Sequence, residues 1–311
     1  MTLDESVPEV PAAAESKPKN VKFEVHPDAT KSLPTLSREW QGCVKCDLGR
    51  QREAMNGSVV CGGGKPRGIL FVGESPGYKE ENVGYPYADN SGGRLLQKCI
   101  TRYKIRTFFA TYLVGCRSCA PVFDNEGLPK RYPGRNGNPG GFIFQNQPPS
   151  QIQLNACAPR LYEEIYIVDP IVIVAMGQAA ASFLAGTSIN IKKLRGSPLE
   201  IEVPGAGDVA VFSEKKHEWY RKVKGVGVTP TKQNVVRYMM IPTYDVGFAS
   251  EHRHDTTSGN AFRDFTKDVF LAKLMYDRYH EEVSGTIPEA YEMDVPDEIL
   301  DEMEQEDAND G

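Results

Sequence analysis

Short apolar runs that alternate with segments of helical spacing constrain the fold of this chain more than any other feature of its sequence. The runs are GILFVGES (68–75), TFFATYLVGC (107–116), PIVIVAMG (170–177) and YMMIPTY (238–244). An unbroken apolar run of this length is typical of a strand that is covered on both faces. The segments 149–168 and 260–282 carry apolar residues at helical spacing. This alternation predicts an α/β domain with a largely parallel sheet.

The order of these elements also predicts where a ligand binds. In open parallel sheets ligands bind beyond the carboxyl ends of the strands, and the turn at 73–77 and the segment after Tyr244 both follow predicted strands. Two segments rich in glycine, proline or polar residues, 120–148 and 203–236, are predicted to be insertions that form long loops. The predicted organisation is a flexible leader at 1–30, one domain at 31–284 and an acidic disordered tail at 285–311.

Charge is distributed unevenly along the chain. The net charge is −6, but residues 289–311 contribute −11 and residues 1–20 contribute −2, so the stretch 21–288 carries +7. A basic body fits a polyanionic partner, and an ordinary solvated surface explains it equally well. The acidic tail is a candidate contact for a protein partner, although solubility alone also explains it.

Apolar content and the N-terminus bear on localisation. Hydrophobic residues make up 40% of the chain, and no apolar run approaches the ~20 residues that a membrane span needs. The first residues, MTLDESVPEVPAAAESKPK, are polar and proline-rich, unlike a secretory signal peptide. We therefore expect a soluble, cytoplasmic monomer without membrane contact.

The glycine-rich segment GGGKPR (62–67) superficially suggests a phosphate-binding loop. The spacing GxxxxGK(S/T) is absent, and Pro66 stands where a hydroxyl residue would bind magnesium. A GxGxxG fingerprint is also missing after the first predicted strand. The sequence therefore argues against a nucleotide-binding loop.

Seven cysteines are present, at Cys43, Cys46, Cys61, Cys99, Cys116, Cys119 and Cys157. An odd number without a secretion signal argues against a disulfide framework and favours metal or redox chemistry. Cys43 and Cys46 form a CxxC pair in a polar loop, whereas Cys116 ends a predicted strand and Cys157 lies in a predicted helix. This spread differs from a compact zinc ribbon and suits a 4Fe–4S cluster.

The remaining cysteines have less specific interpretations. Inert burial is the usual fate of a lone cysteine, and we predict it for Cys61 and Cys99. Cys119 stays ambiguous, because it forms a second CxxC with Cys116.

Several segments of the chain form an ordered set of motifs. They are CVKCDLGR, VVCGGGKPRGILFVGESPGYKEENVGYPYADNSGGRLLQ, ATYLVGCR, NQPPSQIQLNACAPRL, IVIVAMGQAAASFLAG, IKKLRGSPLEI and IPTYDVGF. The set resembles the family-4 iron–sulfur uracil-DNA glycosylases, which read CxxCxL, then a strand ending in GE(A/G)PG, an acid three residues on, and GxP(F/Y). The resemblance covers about 40–280, apart from the two insertions.

The resemblance implies a three-layer αβα sandwich around a mostly parallel four-stranded sheet. It implies an enzyme that flips uracil, or a related base, out of single- or double-stranded DNA and hydrolyses its N-glycosidic bond for base excision. It also implies that Cys43, Cys46, Cys116 and Cys157 hold a 4Fe–4S cluster, which pins loops near the DNA groove.

The resemblance further assigns roles around the base. Glu74 and Ser75 occupy the turn against which the flipped base lies. Tyr87 stands where an aromatic ring stacks on the base, and Asn146 matches an asparagine near the pocket. Excision builds positive charge on the sugar, so a carboxylate there can position water and offset that charge. Glu80 is the predicted carboxylate, with Glu74 as second candidate.

Basic residues near the cysteines and beyond are candidate phosphate contacts. They are Lys45, Arg50, Arg52, Arg117, Arg195 and Arg253. For each of them a solvated surface charge is the simpler explanation.

Two positions depart from the family pattern. Tyr112 stands where the family has an asparagine that recognises the edge of uracil. Asp245 stands where the family has a histidine that donates a hydrogen bond to the departing base. An ionised aspartate only accepts, and losing one such donor typically costs ~100- to 1000-fold in rate. Asp245 can donate if burial keeps it protonated. His252 and His254 are nearby alternative donors.

Three hypotheses follow from the sequence. The first is a uracil-DNA glycosylase with weakened or rearranged chemistry. The second is a glycosylase-fold protein for a different base, since Tyr112 alters the recognition edge. The third is an iron–sulfur DNA-binding protein without catalysis, which acts as a replication or repair accessory.

Overall fold

Twelve strands and nine helices occur in the parts of the chain that this computed structural model describes, which are residues 22–25, 30–88, 90–131, 141–205, 209–213, 218–223, 227–230, 235–253 and 260–284. The strands are β1 (Lys22–Val25), β2 (Gly63–Gly64), β3 (Ile69–Gly73), β4 (Phe108–Tyr112), β5 (Cys119–Pro121), β6 (Phe144–Asn146), β7 (Val172–Met176), β8 (Leu199–Pro204), β9 (Val209–Ser213), β10 (Glu218–Val223), β11 (Gly227–Pro230) and β12 (Val235–Thr243). The helices are α1 (Leu33–Trp40), α2 (Asp47–Ala54), α3 (Tyr78–Val83), α4 (Ser91–Arg102), α5 (Gln151–Val168), α6 (Gln178–Ala185), α7 (Ile191–Leu194), α8 (Val246–Glu251) and α9 (Ala261–Ser284). None of these helices combines the length and the apolar character that spanning a bilayer requires.

The central sheet has the strand order β2-β4-β3-β7-β12-β8. The strands β4, β3, β7 and β12 are parallel to one another, whereas β2 and β8 pair antiparallel at the two edges. The four parallel strands are the four that the sequence predicts, so the predicted α/β fold is confirmed. The edge strand β8 alternates exposed and buried positions, as a strand with one solvated face does.

Helices cover both faces of this sheet. Because side chains alternate in direction along a strand, Leu70 and Val72 of β3 pack in a core with residues of α1, α5 and α6. Their neighbours Ile69 and Phe71 pack in a second core with residues of α4, α8 and α9. The result is the three-layer αβα sandwich that the resemblance implies, with the parallel strands ending at one edge of the sheet.

Helix α5 begins at a well-formed cap. The Ser150 hydroxyl accepts from the Gln153 N–H at 3.4 Å, and the Gln153 side-chain oxygen accepts from the Ser150 N–H at 2.7 Å. This reciprocal pair, a capping box, satisfies donors that the helix start leaves free. The cap fixes the start of the helix that carries Cys157.

A second sheet, with strand order β1-β9-β10-β11, is antiparallel throughout. Its last three strands lie in the segment 203–236, where the sequence predicts a long loop; their β-branched and aromatic residues favour strands instead. The predicted flexible leader is likewise corrected at Lys22–Val25, which pair with β9. In the other predicted insertion, 120–148, β5 pairs with β6. Residues 1–21 and the predicted tail at 285–311 lie outside the described residues.

Candidate active site and candidate metal centre

One pocket, here called the base pocket, collects the residues with predicted catalytic and base-binding roles. Its lining includes all seven of them: Glu74, Ser75, Glu80, Tyr87, Tyr112, Asn146 and Asp245. Glu74 follows β3, Tyr112 ends β4 and Asp245 follows β12, so adjacent parts of the sheet deliver them to one edge. The roles of these residues stay predictions, but the sheet brings the side chains together.

Hydrogen bonds fix the carboxylate of Glu80, a residue that is 3% exposed. Its Oε2 accepts from the Gly77 N–H at 3.0 Å. Its Oε1 accepts from the Tyr112 hydroxyl at 3.0 Å and from the side-chain amide of Asn90. A carboxylate has about four acceptor positions, so the described residues leave one for a water molecule or a substrate. Glu80 is therefore both held in place and able to accept one further proton donor.

Tyr112 and Tyr87 lie against each other beside Glu80. The Tyr112 hydroxyl accepts from the Tyr87 N–H at 3.0 Å while it donates to Glu80. The two ring centroids are 4.8 Å apart with a tilt of 34°. Burial is the main cause that raises the pKa of both hydroxyls, so both stay protonated. The Tyr112 ring thus contacts the ring to which the resemblance assigns base stacking.

The position of Tyr87 depends on local backbone geometry. Tyr87 has a positive φ of 58°, an uncommon conformation for a bulky residue. Gly73 at the end of β3 leaves the space that its hydroxyl occupies, because a Cβ there would lie 2.2 Å from that oxygen. Strain of this kind is concentrated at functional sites.

Asp245 and Glu74 are two carboxyl groups in the same pocket. Asp245 caps α8, since its Oδ1 accepts from the Phe248 N–H at 3.0 Å. Burial raises the pKa of Asp245, although the backbone N–H groups of Phe248 and Gly247 partly lower it. Burial and, secondarily, the charge of Asp245 raise the pKa of Glu74. The pair therefore holds a proton to higher pH than two solvated carboxyls.

The alternative donor His252 does not join this pair. His252 stacks on Phe248 with ring centroids 4.0 Å apart, and its Nδ1 lies 2.9 Å from the Phe248 carbonyl oxygen. It therefore contacts its own helix rather than the pocket lining. His254 lies outside the described residues.

Arg117 lies between Asn146 and an exposed aromatic ring. The Asn146 amide oxygen accepts from the Arg117 Nε at 3.0 Å. The Arg117 guanidinium lies 5.7 Å from the ring centre of Tyr78, which is 61% exposed. An exposed aromatic ring beside a cation suits stacking on bases and contact with phosphate.

A second, smaller cavity, here called the cysteine cavity, contains the four cysteines that the resemblance assigns to a cluster. Its lining includes Cys43, Cys46, Cys116 and Cys157, together with the apolar residues Trp40, Leu48, Val59 and Val114. All four thiols are free. Cys119 is absent from this lining, and its sulfur accepts from the Gln51 side-chain amide at 3.1 Å.

Hydrogen-bond donors reach the sulfur atoms in this cavity. The Cys157 Sγ accepts from the Gly115 N–H and from the Arg160 Nε, both at 3.4 Å. Burial raises the pKa of the Cys116 thiol to about 12, so this thiol needs a bound cation to ionise. Across the described ranges, no group of three or more His, Cys, Asp or Glu side chains has the arrangement that holds a metal ion.

Comparison with known proteins decides the family. A family model for the uracil DNA glycosylase superfamily matches residues 63–273, more than half of the chain. The chain belongs to the uracil DNA glycosylase superfamily. A type-4 uracil-DNA glycosylase of Thermotoga maritima is 29% identical over 169 residues, which cover 54% of this chain and 74% of the relative. Those of Sulfurisphaera tokodaii and Archaeoglobus fulgidus are 27% and 23% identical, covering 64% and 70% of this chain and 73% and 90% of each relative.

These relatives confirm the resemblance to the family-4 glycosylases that the motifs predict. All seven predicted residues that line the base pocket lie inside the superfamily match. Cys116 and Cys157 also lie inside it, whereas Cys43 and Cys46 precede its first residue. The cysteine cavity therefore joins the superfamily domain to the segment just before it.

The sequence missed several residues that organise this superfamily site. Asn90 bonds Glu80 and caps α4, and its place just before the SGGR helix start is a recognisable capping signal. Arg160 and Glu164 form a fully buried ion pair at 2.8 Å. Their spacing of four residues on a helix is usual for an exposed pair, so the sequence gives no sign of their burial.

Two predicted phosphate contacts point into the protein. Arg52 is 6% exposed and donates to the carbonyl oxygens of Gly57 and Cys43. Arg195 pairs with Asp268, with Nη2 and Oδ1 2.9 Å apart. Burial raises the pKa of Asp268 to about 6, although Arg195 opposes this shift. Both arginines therefore have partners within the protein, and these contacts account for their positions without a DNA phosphate.

Proposed function

We propose that this protein hydrolyses the N-glycosidic bond of a flipped uracil in DNA and so begins base excision. The observation that carries the proposal is the base pocket, in which the described residues leave one acceptor position of Glu80 for a water molecule, near Tyr87. The names of the relatives, type-4 uracil-DNA glycosylases, support the same substrate.

In this mechanism Glu80 positions the attacking water. Its other acceptor positions are taken by Gly77, Asn90 and Tyr112, so the carboxylate cannot rotate away. Its charge also offsets the positive charge that develops on the sugar. Orientation of the water by a fixed carboxylate removes much of the entropic barrier.

The base lies against the turn at Glu74 and Ser75, with Tyr87 as its aromatic neighbour. The departing base carries negative charge, which a neutral donor stabilises and a carboxylate repels. We assign this donor role to Asp245 in its protonated form, which burial and, secondarily, the charge of Glu251 favour by raising its pKa.

A second candidate function is recognition of DNA without catalysis. It is favoured by the contact between Tyr112 and Tyr87, whose centroids are 4.8 Å apart, because a base that stacks on that side of Tyr87 must displace Tyr112. The cap that Asp245 forms on α8 favours it too, since this bond uses the carboxyl group structurally.

We also propose that Cys43, Cys46, Cys116 and Cys157 hold a 4Fe–4S cluster. Their shared cavity, its apolar walls and the N–H donors to Cys157 fit such a group. Each of the four cysteines would hold the cluster through its sulfur atom. When bound, the cluster supplies a cross-link between loops rather than a step in hydrolysis.

A uracil-containing oligonucleotide tests the proposed function. Protein in excess over DNA, followed by alkali, should cleave the strand at uracil and leave a thymine control intact. Parallel strands with other modified bases test the alternative specificity. Intact strands throughout, together with retained DNA binding, would replace the proposal by the non-catalytic function.

A further inference from the structure

Arg160 connects the cysteine cavity to the base pocket. The residue is 0% exposed and lies on α5, three positions after Cys157. Its Nε donates to the Cys157 Sγ at 3.4 Å, and its Nη2 donates to the carbonyl oxygens of Tyr112 and Leu113. One planar group thus touches a cysteine of the cavity and the end of the strand that places Tyr112 in the pocket.

The rest of the guanidinium is held by a buried ion pair. Its Nη1 lies 2.8 Å from the Glu164 Oε2 and 3.1 Å from the Thr111 hydroxyl. Thr111 and the Gly62 N–H donate to the same carboxylate, at 2.6 and 2.9 Å. A buried charge persists only when it is paired and hydrogen-bonded, and this network meets both conditions. The orientation of Arg160 is therefore fixed from one side by Glu164.

We propose that Arg160 is a positioning residue that couples the cluster site to the base pocket. The inference rests on the proposed cluster, because a metal-bound thiolate accepts a charge-assisted hydrogen bond more strongly than a neutral thiol. That bond holds the guanidinium in one orientation. In this orientation the guanidinium donates to the carbonyl oxygen of Tyr112 and so holds the end of β4 in place. The Tyr112 hydroxyl in turn holds Glu80 and the Tyr87 N–H.

Arg160→Lys in the cluster-loaded protein tests this coupling. Lysine keeps the charge opposite Glu164, but it lacks the planar fork that reaches one sulfur and two carbonyl oxygens together. We expect a more negative reduction potential of the cluster, because a donor to a ligand sulfur is lost. We also expect an excision rate about 10- to 100-fold lower through misplacement of Tyr112 and Glu80.

The environment of Tyr112 in the base pocket can also be measured without an activity assay, and this measurement completes the test. The ¹⁹F resonance of fluorotyrosine at position 112 should shift in Arg160→Lys, whereas the control Cys119→Ser should move neither this resonance nor the potential. If Arg160→Lys does not fold, wild-type protein grown with ¹⁵N-arginine provides the measurement. After one-electron reduction by added dithionite makes the cluster paramagnetic, it should show hyperfine coupling to a guanidinium nitrogen.

The outcomes separate this inference from the proposed function. The role of Arg160 would be overturned if Arg160→Lys changed only the reduction potential of the cluster or only the ¹⁹F resonance at position 112. Absence of hyperfine coupling to a guanidinium nitrogen in the wild-type protein would overturn it too. A colourless wild-type protein would overturn the cluster and this role together. Changes in both readouts without uracil excision would leave the role of Arg160 standing and reject only the proposed activity.

Discussion

The base pocket and the cysteine cavity both gather residues from distant parts of the sequence, yet they differ in polarity and in their fit to the family pattern. The pocket contains three carboxyl groups, on Glu74, Glu80 and Asp245, and a tyrosine with positive φ. The cavity has apolar walls around its four thiols. Both departures from the family motifs, Tyr112 and Asp245, fall in the pocket.

This difference indicates that the chemistry of the protein depends on the residues of the base pocket rather than on those of the cysteine cavity. The resemblance assigns all four cysteines to cluster ligands, so we expect a structural role for the cavity. In the pocket, the same resemblance assigns the turn and Glu80 to the family pattern, whereas Tyr112 and Asp245 depart from it at two positions with expected roles at the base. The following variants test whether the two regions have these separate roles, in order of decreasing expected effect.

Cys157→Ser should have the largest effect, because it removes a proposed cluster ligand and the acceptor of Arg160. We expect loss of the visible absorbance of the cluster and loss of excision, measured on the same preparation. Cys119→Ser is the matched control and should keep both, since Cys119 does not line the cavity. Equal loss in the two variants would contradict the assignment of the ligands.

Glu80→Gln should affect the pocket alone. Losing a positioned carboxylate typically costs about 100- to 10,000-fold in rate, so single-turnover excision should fall by that order while the cluster absorbance stays unchanged. Exposed Glu126→Gln is the control and should excise at the wild-type rate. Full activity in Glu80→Gln would move the catalytic role to another residue.

Asp245→Asn tests the donor in the pocket through its pH dependence. Burial raises the pKa of Asp245, and only its protonated form donates, so wild-type excision should slow as the pH rises through that pKa. Asparagine still caps α8 and carries an amide donor at every pH. At about pH 8 the variant should be about 10- to 100-fold faster than wild type, without the decline. Identical pH profiles would remove Asp245 from the mechanism.

Tyr112→Phe should have the smallest effect. It deletes the hydroxyl that joins Glu80 to the Tyr87 N–H but keeps the ring contact. One such hydrogen bond contributes about 1 kcal/mol, so we expect a rate roughly fivefold lower in a single-turnover assay. An unchanged rate would show that Tyr112 does not orient Glu80.

The sequence predicts the layers of the fold and the residues of the candidate site better than it predicts the contacts between segments that are distant in sequence. The four parallel strands follow from unbroken apolar runs, and the seven predicted residues that line the base pocket follow from the motifs that carry the family resemblance. The strand at Lys22–Val25 escaped prediction because its pairing with Val209–Ser213 is remote in sequence. Arg160 escaped because its partners at Tyr112 and Cys157 meet only after β4 and α5 pack.

Release of free uracil from DNA under single-turnover conditions tests the central claim most directly. The assay uses wild-type protein in excess and measures binding of the same oligonucleotide. We predict stoichiometric free uracil from the wild type, and binding without comparable release from Glu80→Gln. Tight binding by the wild type with no free uracil at any pH would contradict the account.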